Sequence, residues 1–133
     1  MTLLVPNNGE GDGLQYFVNK AAPENLVLRL YSNNITPAET DVAATYTEVT
    51  GFGYAAVTLA GATWGAPVEG APSSISYPIQ TFTFTGAFGN VYGYFMTRFT
   101  SGRIALAERF TGAPYAINNN GDNIQVTANI TLD

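Results

Sequence analysis

Apolar and polar residues alternate along most of the chain, and this period of two predicts β-strands. Leu26, Leu28 and Leu30 alternate with other residues in the first such segment, and residues 79–85 alternate phenylalanine with threonine. The last strand is expected to point five side chains into the core: Ile124, Val126, Ala128, Ile130 and Leu132. Turns rich in Gly, Asn and Pro separate the segments. The pattern predicts an all-β fold, an antiparallel sandwich or barrel of the jelly-roll kind.

One segment near the N-terminus has the period of a helix instead. Its apolar residues recur at i, i+3, i+4 and i+7 and form one stripe that must pack on something: Leu14, Phe17, Val18 and Ala21. Asp12 is expected to cap this short helix, and Pro23 to end it. Residues 1–12 are therefore interpreted as an extended N-terminal arm, and residues 13–133 as a single β-rich domain.

Residues 90–110 predict a hairpin whose two faces differ in character. With Ser101-Gly102 as a two-residue turn, position 98 faces position 105. One face is then apolar core. The other collects residue types that are enriched at protein interfaces: Tyr92, Tyr94, Met96, Arg98, Arg103, Ala105, Ala107 and Arg109. Either this face contacts another protein, or a second layer of the same chain covers it.

The composition excludes several kinds of catalytic and metal-binding site. The 133 residues include no His and no Cys, which excludes Ser-His-Asp and Cys-His catalysis, thiolate zinc sites and disulfides. Only 11% of the residues are charged and the net charge is −5, so a nucleic-acid partner is not expected. No apolar run approaches the length of a membrane helix, so we expect no membrane partner either.

The remaining polar groups favour structural roles. The acids Glu39, Asp41, Glu48 and Glu108 could in principle supply a glycosidase pair, but helix capping and pairing with arginine explain them better. Asn118, Asn120 and Asp122 loosely resemble a calcium loop, yet a turn is favoured because the stretch has one acid. We expect no enzyme activity, no catalytic residue, no metal and no cofactor.

Loop aromatic residues leave a second possibility open. Trp64, Tyr77 and Tyr115 could stack on a sugar ring, although the only tryptophan is better interpreted as part of the core. The spacing of the three residues does not require a glycan site.

Together, these segments resemble a known class of proteins, and the similarity spans nearly the whole chain. The matching stretches are Leu4-Val5-Pro6-Asn7-Asn8-Gly9-Glu10, residues 28–34 with Thr36-Pro37, Tyr46-Thr47-Glu48, Gly53-Tyr54-Ala55, Trp64, residues 81–85, Tyr92-Gly93-Tyr94-Phe95, residues 107–110 and Asn120-Gly121-Asp122. The chain is similar to small virion structural proteins of tailed bacteriophages, and most of all to capsid decoration (cement) proteins.

The resemblance implies a structural role without chemistry. It predicts a homo-oligomer, with a trimer favoured, that lies on the capsid exterior and binds the major capsid protein across its subunits. The expected contacts are the arm residues Leu3, Leu4, Val5 and Pro6, which could add a strand to a partner's sheet, and the hairpin residues Tyr92, Tyr94, Met96, Arg98, Arg103 and Arg109. The alternative is a tail-tip or fibre-associated module that binds a glycan of the host surface.

Overall fold

The computed structural model describes residues 3–132, which are mostly β with one short helix and several antiparallel sheets. Helix α1 spans Asn7–Phe17. The strands are β1 (Leu26–Tyr31), β2 (Val57–Leu59), β3 (Ser73–Ser76), β4 (Gln80–Thr83), β5 (Gly89–Val91), β6 (Gly93–Arg98), β7 (Ile104–Arg109), β8 (Tyr115–Ile117), β9 (Asn123–Val126) and β10 (Asn129–Leu132). The prediction of a β-rich antiparallel chain is confirmed.

The main sheet has the strand order β2-β1-β6-β7, and every neighbouring pair is antiparallel. Strand β6 lies inside the sheet, and all six of its residues are buried. Leu28 pairs with Met96 and Leu30 with Tyr94, so these side chains point to the same face. Val27 and Tyr31, on the other face of β1, are also buried, so the leucine alternation understates the burial of this strand.

Three two-stranded ribbons surround this sheet: β10-β3, β4-β9 and β5-β8. Their apolar side chains join those of the main sheet in one large core, to which belong Leu28, Leu30, Leu59, Phe82, Phe84, Val91, Met96, Ile117 and Ile124. A smaller cluster covers the opposite face of the sheet, where the rings of Tyr46 and Phe95 stack at 4.9 Å. The sheet is therefore covered on both sides by its own chain.

The C-terminal segment is two strands rather than one. β9 pairs with β4, and β10 pairs with β3, with a break at residues 127–128. The inward prediction is correct for Ile124, Val126 and Ala128, which are buried. It is wrong for Leu132, which is 75% exposed, because the chain has left the core by that point.

Helix α1 begins inside the segment that was predicted to be an arm. Pro6 precedes its first residue, where proline's lack of an N–H has no cost. At its end, Asn19 takes a left-handed conformation with φ of 57°, and Lys20 N–H donates to the Gln15 carbonyl at 2.8 Å. This is the Schellman arrangement, which satisfies the last carbonyls. Asp12 is therefore mid-helix, and the prediction that it caps the helix is wrong.

Candidate functional site

The N-terminal residues are docked on this chain's own sheet. Leu4 N–H donates to the Ala107 carbonyl at 2.8 Å, and Ala107 N–H donates back to the Leu4 carbonyl at 2.9 Å. Pro6 is fully buried, while Leu3 and Val5 are half-buried against the large core. β7 is the edge strand of the sheet, and its open N–H and C=O groups need a partner. The extended arm predicted over residues 1–12 is thus corrected: Leu4 pairs with this edge at Ala107 and a helix begins at Asn7, while residues 1–2 lie outside the described part of the chain.

A buried ion network fixes α1 above β7. Asp12 Oδ2 lies 3.2 Å from Arg98 Nη1 and 3.0 Å from Arg103 Nε. The Arg98 side chain is only 5% exposed, and it also donates to the Tyr16 hydroxyl and to the Ile104 carbonyl. One carboxylate therefore serves two guanidinium groups. Since a buried arginine requires a counter-charge, this network positions the helix.

Three of the predicted partner contacts are inside the molecule. Tyr94, Met96 and Arg98 are buried, so the interpretation of their face as outward is wrong. The hairpin pairs Met96 with Leu106 but Thr97 with Ile104, which makes Ala105 the extra residue of a β-bulge. The chain buries both faces of β6, with Tyr94 and Met96 in the large core and Phe95 in the smaller cluster. The alternative, a face covered by the same chain, is what the structure shows for these residues.

The other three hairpin candidates reach the surface and are held by local contacts. The Arg109 guanidinium lies 5.1 Å from the centre of the half-buried Tyr92 ring and donates to the Ile35 carbonyl at 2.8 Å. Arg103 also donates to the Asn8 side chain at 3.3 Å, and it remains exposed. These contacts organise loops; whether a partner adds to them stays a prediction.

The apolar stripe of α1 faces outward, opposite to expectation. Leu14 is 69% exposed, Phe17 90% and Val18 69%. The buried side of the helix carries Gly9 and Asp12, and a Cβ added at Gly9 would overlap the Ala105 carbonyl. Because Gly9 has no side chain, the helix backbone can lie directly against β7, which an apolar side chain on this face would prevent. The signal available in the sequence was the spacing of Gly9, Asp12 and Tyr16, which also lie on one helical face.

An apolar groove of about 470 Å³ opens beside the helix. Its walls come from the N-terminal segment, the main sheet, Trp64 and the β10-β3 ribbon; among its lining residues are Val5, Tyr16, Leu26, Leu59, Trp64 and Ile130. Asn25 also lines it, and the Asn25 carbonyl accepts from Phe99 N–H at 2.9 Å. Phe99 is 64% exposed. One end of the molecule thus combines an apolar groove with exposed apolar side chains.

Three of the four acids singled out in the sequence are engaged in structural contacts. Glu48 accepts from Arg29 at 2.8 Å and from the Tyr54 hydroxyl at 2.9 Å. Asp41 accepts from Tyr46, and Glu108 from Tyr94 at 2.6 Å rather than from the expected arginine. Glu39 is exposed on a loop. The arrangement positions loops and strand ends.

The asparagine-rich segment is a turn. Asp122 Oδ2 accepts from the backbone N–H groups of Asn118 and Asn119 at 2.8 and 2.9 Å, and Gly121 has a φ of 95°. Across residues 3–132, no three acidic side chains converge as metal ligands would.

The three aromatic candidates for sugar binding separate into two ring pairs. Trp64 meets Tyr77 edge-on at 5.2 Å, and Tyr77 is buried. Tyr115 is stacked on Phe110 at 4.7 Å with only 5° between the ring planes. Tyr115 alone among the three is well exposed, because the core takes up the other two.

Comparison with protein-family models, curated proteins and solved structures finds no match for the chain. In the part of the chain that the structure describes, no helix has the length and apolar character needed to cross a membrane.

Proposed function

We propose that this chain is a structural component of a bacteriophage particle. It decorates the capsid exterior as a homo-oligomer and stabilises the shell by binding across subunits of the major capsid protein. The observation that carries the proposal is a charge-poor surface with a contiguous apolar helix face, since Leu14, Phe17 and Val18 are exposed together. Exposed apolar patches of this kind are typical of proteins that associate with others. The resemblance to virion structural proteins points to the same role.

A jelly-roll-like sandwich is the fold that we propose for this role. The main sheet and the ribbons share one apolar core, which supports a two-layer arrangement. Both faces of the main sheet are covered by the chain itself, so the expected partner contacts fall on loops, edges and the helix rather than on a sheet face.

The proposed mechanism is burial of surface at subunit junctions. The net charge of −5 would repel packaged DNA, which favours a position outside the shell. Individually weak apolar contacts suffice there, because each copy within an oligomer raises the effective concentration of the others. Binding across subunits then opposes their separation under internal pressure.

Immunogold labelling of intact virions tests the location. We expect antibody against this chain to label the head, and purified protein to co-sediment with shells that lack it until binding saturates. Saturated shells should withstand heating better than bare ones. Label confined to the tail would overturn the proposal in favour of the glycan-binding module, and failure to co-sediment would overturn it outright.

A further inference from the structure

The outer face of α1 has a regular composition. At 100° per residue, Glu10, Leu14 and Phe17 lie on one stripe, and Val18 extends it at the helix end. Gly9, Asp12 and Tyr16 lie on the opposite side, where they contact β7 and Arg98. We call Glu10, Leu14, Phe17 and Val18 the outer helix face. The helix is amphipathic in the reverse sense, because its apolar side is turned away from the core.

Further apolar surface lies at the same end of the molecule. The carboxylate of Glu24 accepts from the backbone N–H groups of Thr100 and Ser101 at 2.7 and 3.0 Å, which ties the β6–β7 turn to the segment after α1. Phe99, at the start of this turn, is exposed. The apolar groove opens beside Tyr16 and Glu24. The groove lies on the inner side of α1, which carries Gly9 and Tyr16, and the outer helix face points away from it.

We propose that the outer helix face binds a second copy of the same chain, with the two α1 helices antiparallel across a two-fold axis. In such a contact each copy presents the same patch, so exposed apolar side chains of each copy meet those of the other. The inference goes beyond the proposed function and does not rest on it. A two-fold contact gives a dimer in place of the trimer that the resemblance favours.

Charge complementarity selects a second copy and the antiparallel direction. Glu10 is near the start of the outer helix face, and the exposed Lys20 follows its end. Position 15 is midway between them, beside the apolar residues Leu14 and Phe17. Antiparallel pairing about this midpoint sets Glu10 of each copy against Lys20 of the other, whereas parallel pairing would set like charges together. Two opposite-charge pairs thus flank the apolar centre, and they offset repulsion between chains of net charge −5.

The exposed area fits a specific interface. A two-fold contact counts each side chain twice, so the two copies of Phe17 supply on the order of 300 Å². Leu14 and Val18 of both copies extend this apolar contact to the size of a small, reversible interface.

Sedimentation equilibrium of the full chain tests the apolar part of the proposal. We expect the wild type to be a dimer at micromolar concentration and Phe17→Ser to raise the dimer dissociation constant at least about 100-fold, since two phenylalanines leave the interface. Phe17 is 90% exposed, so the variant should fold normally, which circular dichroism checks. Ile79→Ser, at another exposed apolar side chain, is the control and should leave the constant unchanged.

Charge reversal tests the direction of pairing. Glu10→Lys and Lys20→Glu should each raise the dissociation constant roughly threefold to tenfold, and the double variant should restore it. Rescue by the double variant requires that Glu10 of one copy face Lys20 of the other. A wild type that stays monomeric, a Phe17→Ser variant that still dimerises, or a double variant no better than the singles would overturn the proposal. If the wild type is monomeric and Phe17→Ser loses shell binding, this face contacts the capsid instead. Head labelling of virions is unaffected by any of these outcomes.

Discussion

Asp12 is the residue on which the placement of α1 depends most directly. It is the only acid within ion-pair distance of Arg98 among residues 3–132, and both side chains are buried. An ion pair of this kind adds little net stability compared with an apolar pair, but the loss of one partner leaves a charge without compensation. The intact network therefore adds little to the free energy of unfolding, but removing one of its partners should lower that free energy strongly.

Asp12→Ala should lower the free energy of unfolding by about 3 kcal/mol, because Arg98 would keep its buried charge and lose its carboxylate. Urea denaturation followed by circular dichroism measures the change. Glu69→Ala is the control, since Glu69 is exposed in a loop, and its effect should stay within about 0.5 kcal/mol. A loss below 1 kcal/mol for Asp12→Ala would show that the network does not hold the helix.

This role of Asp12 could not be predicted from the sequence. An acid just before an apolar helical stripe has the local signature of an N-cap, and that interpretation uses only neighbouring residues. Its real partners are distant in the chain: Arg103 is 91 positions away. Recognising the network requires knowing that α1 lies on β7, which is a tertiary fact.

At the scale of elements, Gly9 decides how closely α1 approaches the sheet. A side chain there would overlap the Ala105 carbonyl, whereas a Cβ at Gly11 on the same helix would meet no atom within 4 Å. Helical propensity alone favours alanine over glycine at both positions. Substitutions at the two glycines therefore distinguish the effect of packing against β7 from the effect of helical propensity.

Gly9→Ala should destabilise the protein by about 1–3 kcal/mol, because the helix must move away from β7 to avoid the backbone carbonyl. Gly11→Ala should stabilise it by about 0.5–1 kcal/mol through reduced entropy of the unfolded chain. Thermal unfolding of both variants measures the contrast. Equal shifts in the same direction would mean that the close contact between α1 and β7 is not maintained in solution.

Elements with strict alternation could be located from the sequence, but the partner and register of each could not. The first strand and the hairpin strands lie where the pattern indicates. The hairpin register differs from the prediction, because Thr97 pairs with Ile104 and Ala105 forms a bulge, whereas the prediction set position 98 against position 105. A bulge adds one residue without altering the alternation on either side strongly enough to be recognised. Tyr94 and Met96 are core residues for a different reason: the chain covers both faces of the main sheet, and the alternation of one strand does not reveal a second covering layer.

At the scale of the whole molecule, the covering of both faces of the main sheet has an electrostatic consequence. Tyr31, Tyr46 and Tyr94 are buried around the sheet, and Tyr54 is half-buried against the large core. Burial raises the pKa of Tyr31 to about 12, and burial likewise raises the pKa values of the other three. Three of the hydroxyls also donate to carboxylates, on Asp41, Glu48 and Glu108, which favours the neutral phenol.

The protein should therefore lose stability at alkaline pH. A group whose pKa is raised in the folded state contributes its full stabilisation below its unfolded pKa, which is about 10 for tyrosine. This stabilisation is lost as the pH rises toward the pKa of the folded state. Each tyrosine that is ionised only in the unfolded chain lowers the free energy of unfolding by about 1.4 kcal/mol per pH unit. Urea denaturation at intervals between pH 9 and 12 should show this fall, and absorbance at 295 nm should show these phenols ionising together with unfolding. Tyr46→Phe removes one titrating group, so the free energy of unfolding should fall less steeply with pH, by about 1.4 kcal/mol per pH unit. A stability that is flat from pH 10 to 12 would mean that these hydroxyls reach water in the folded protein, and that the sheet is not covered on both faces.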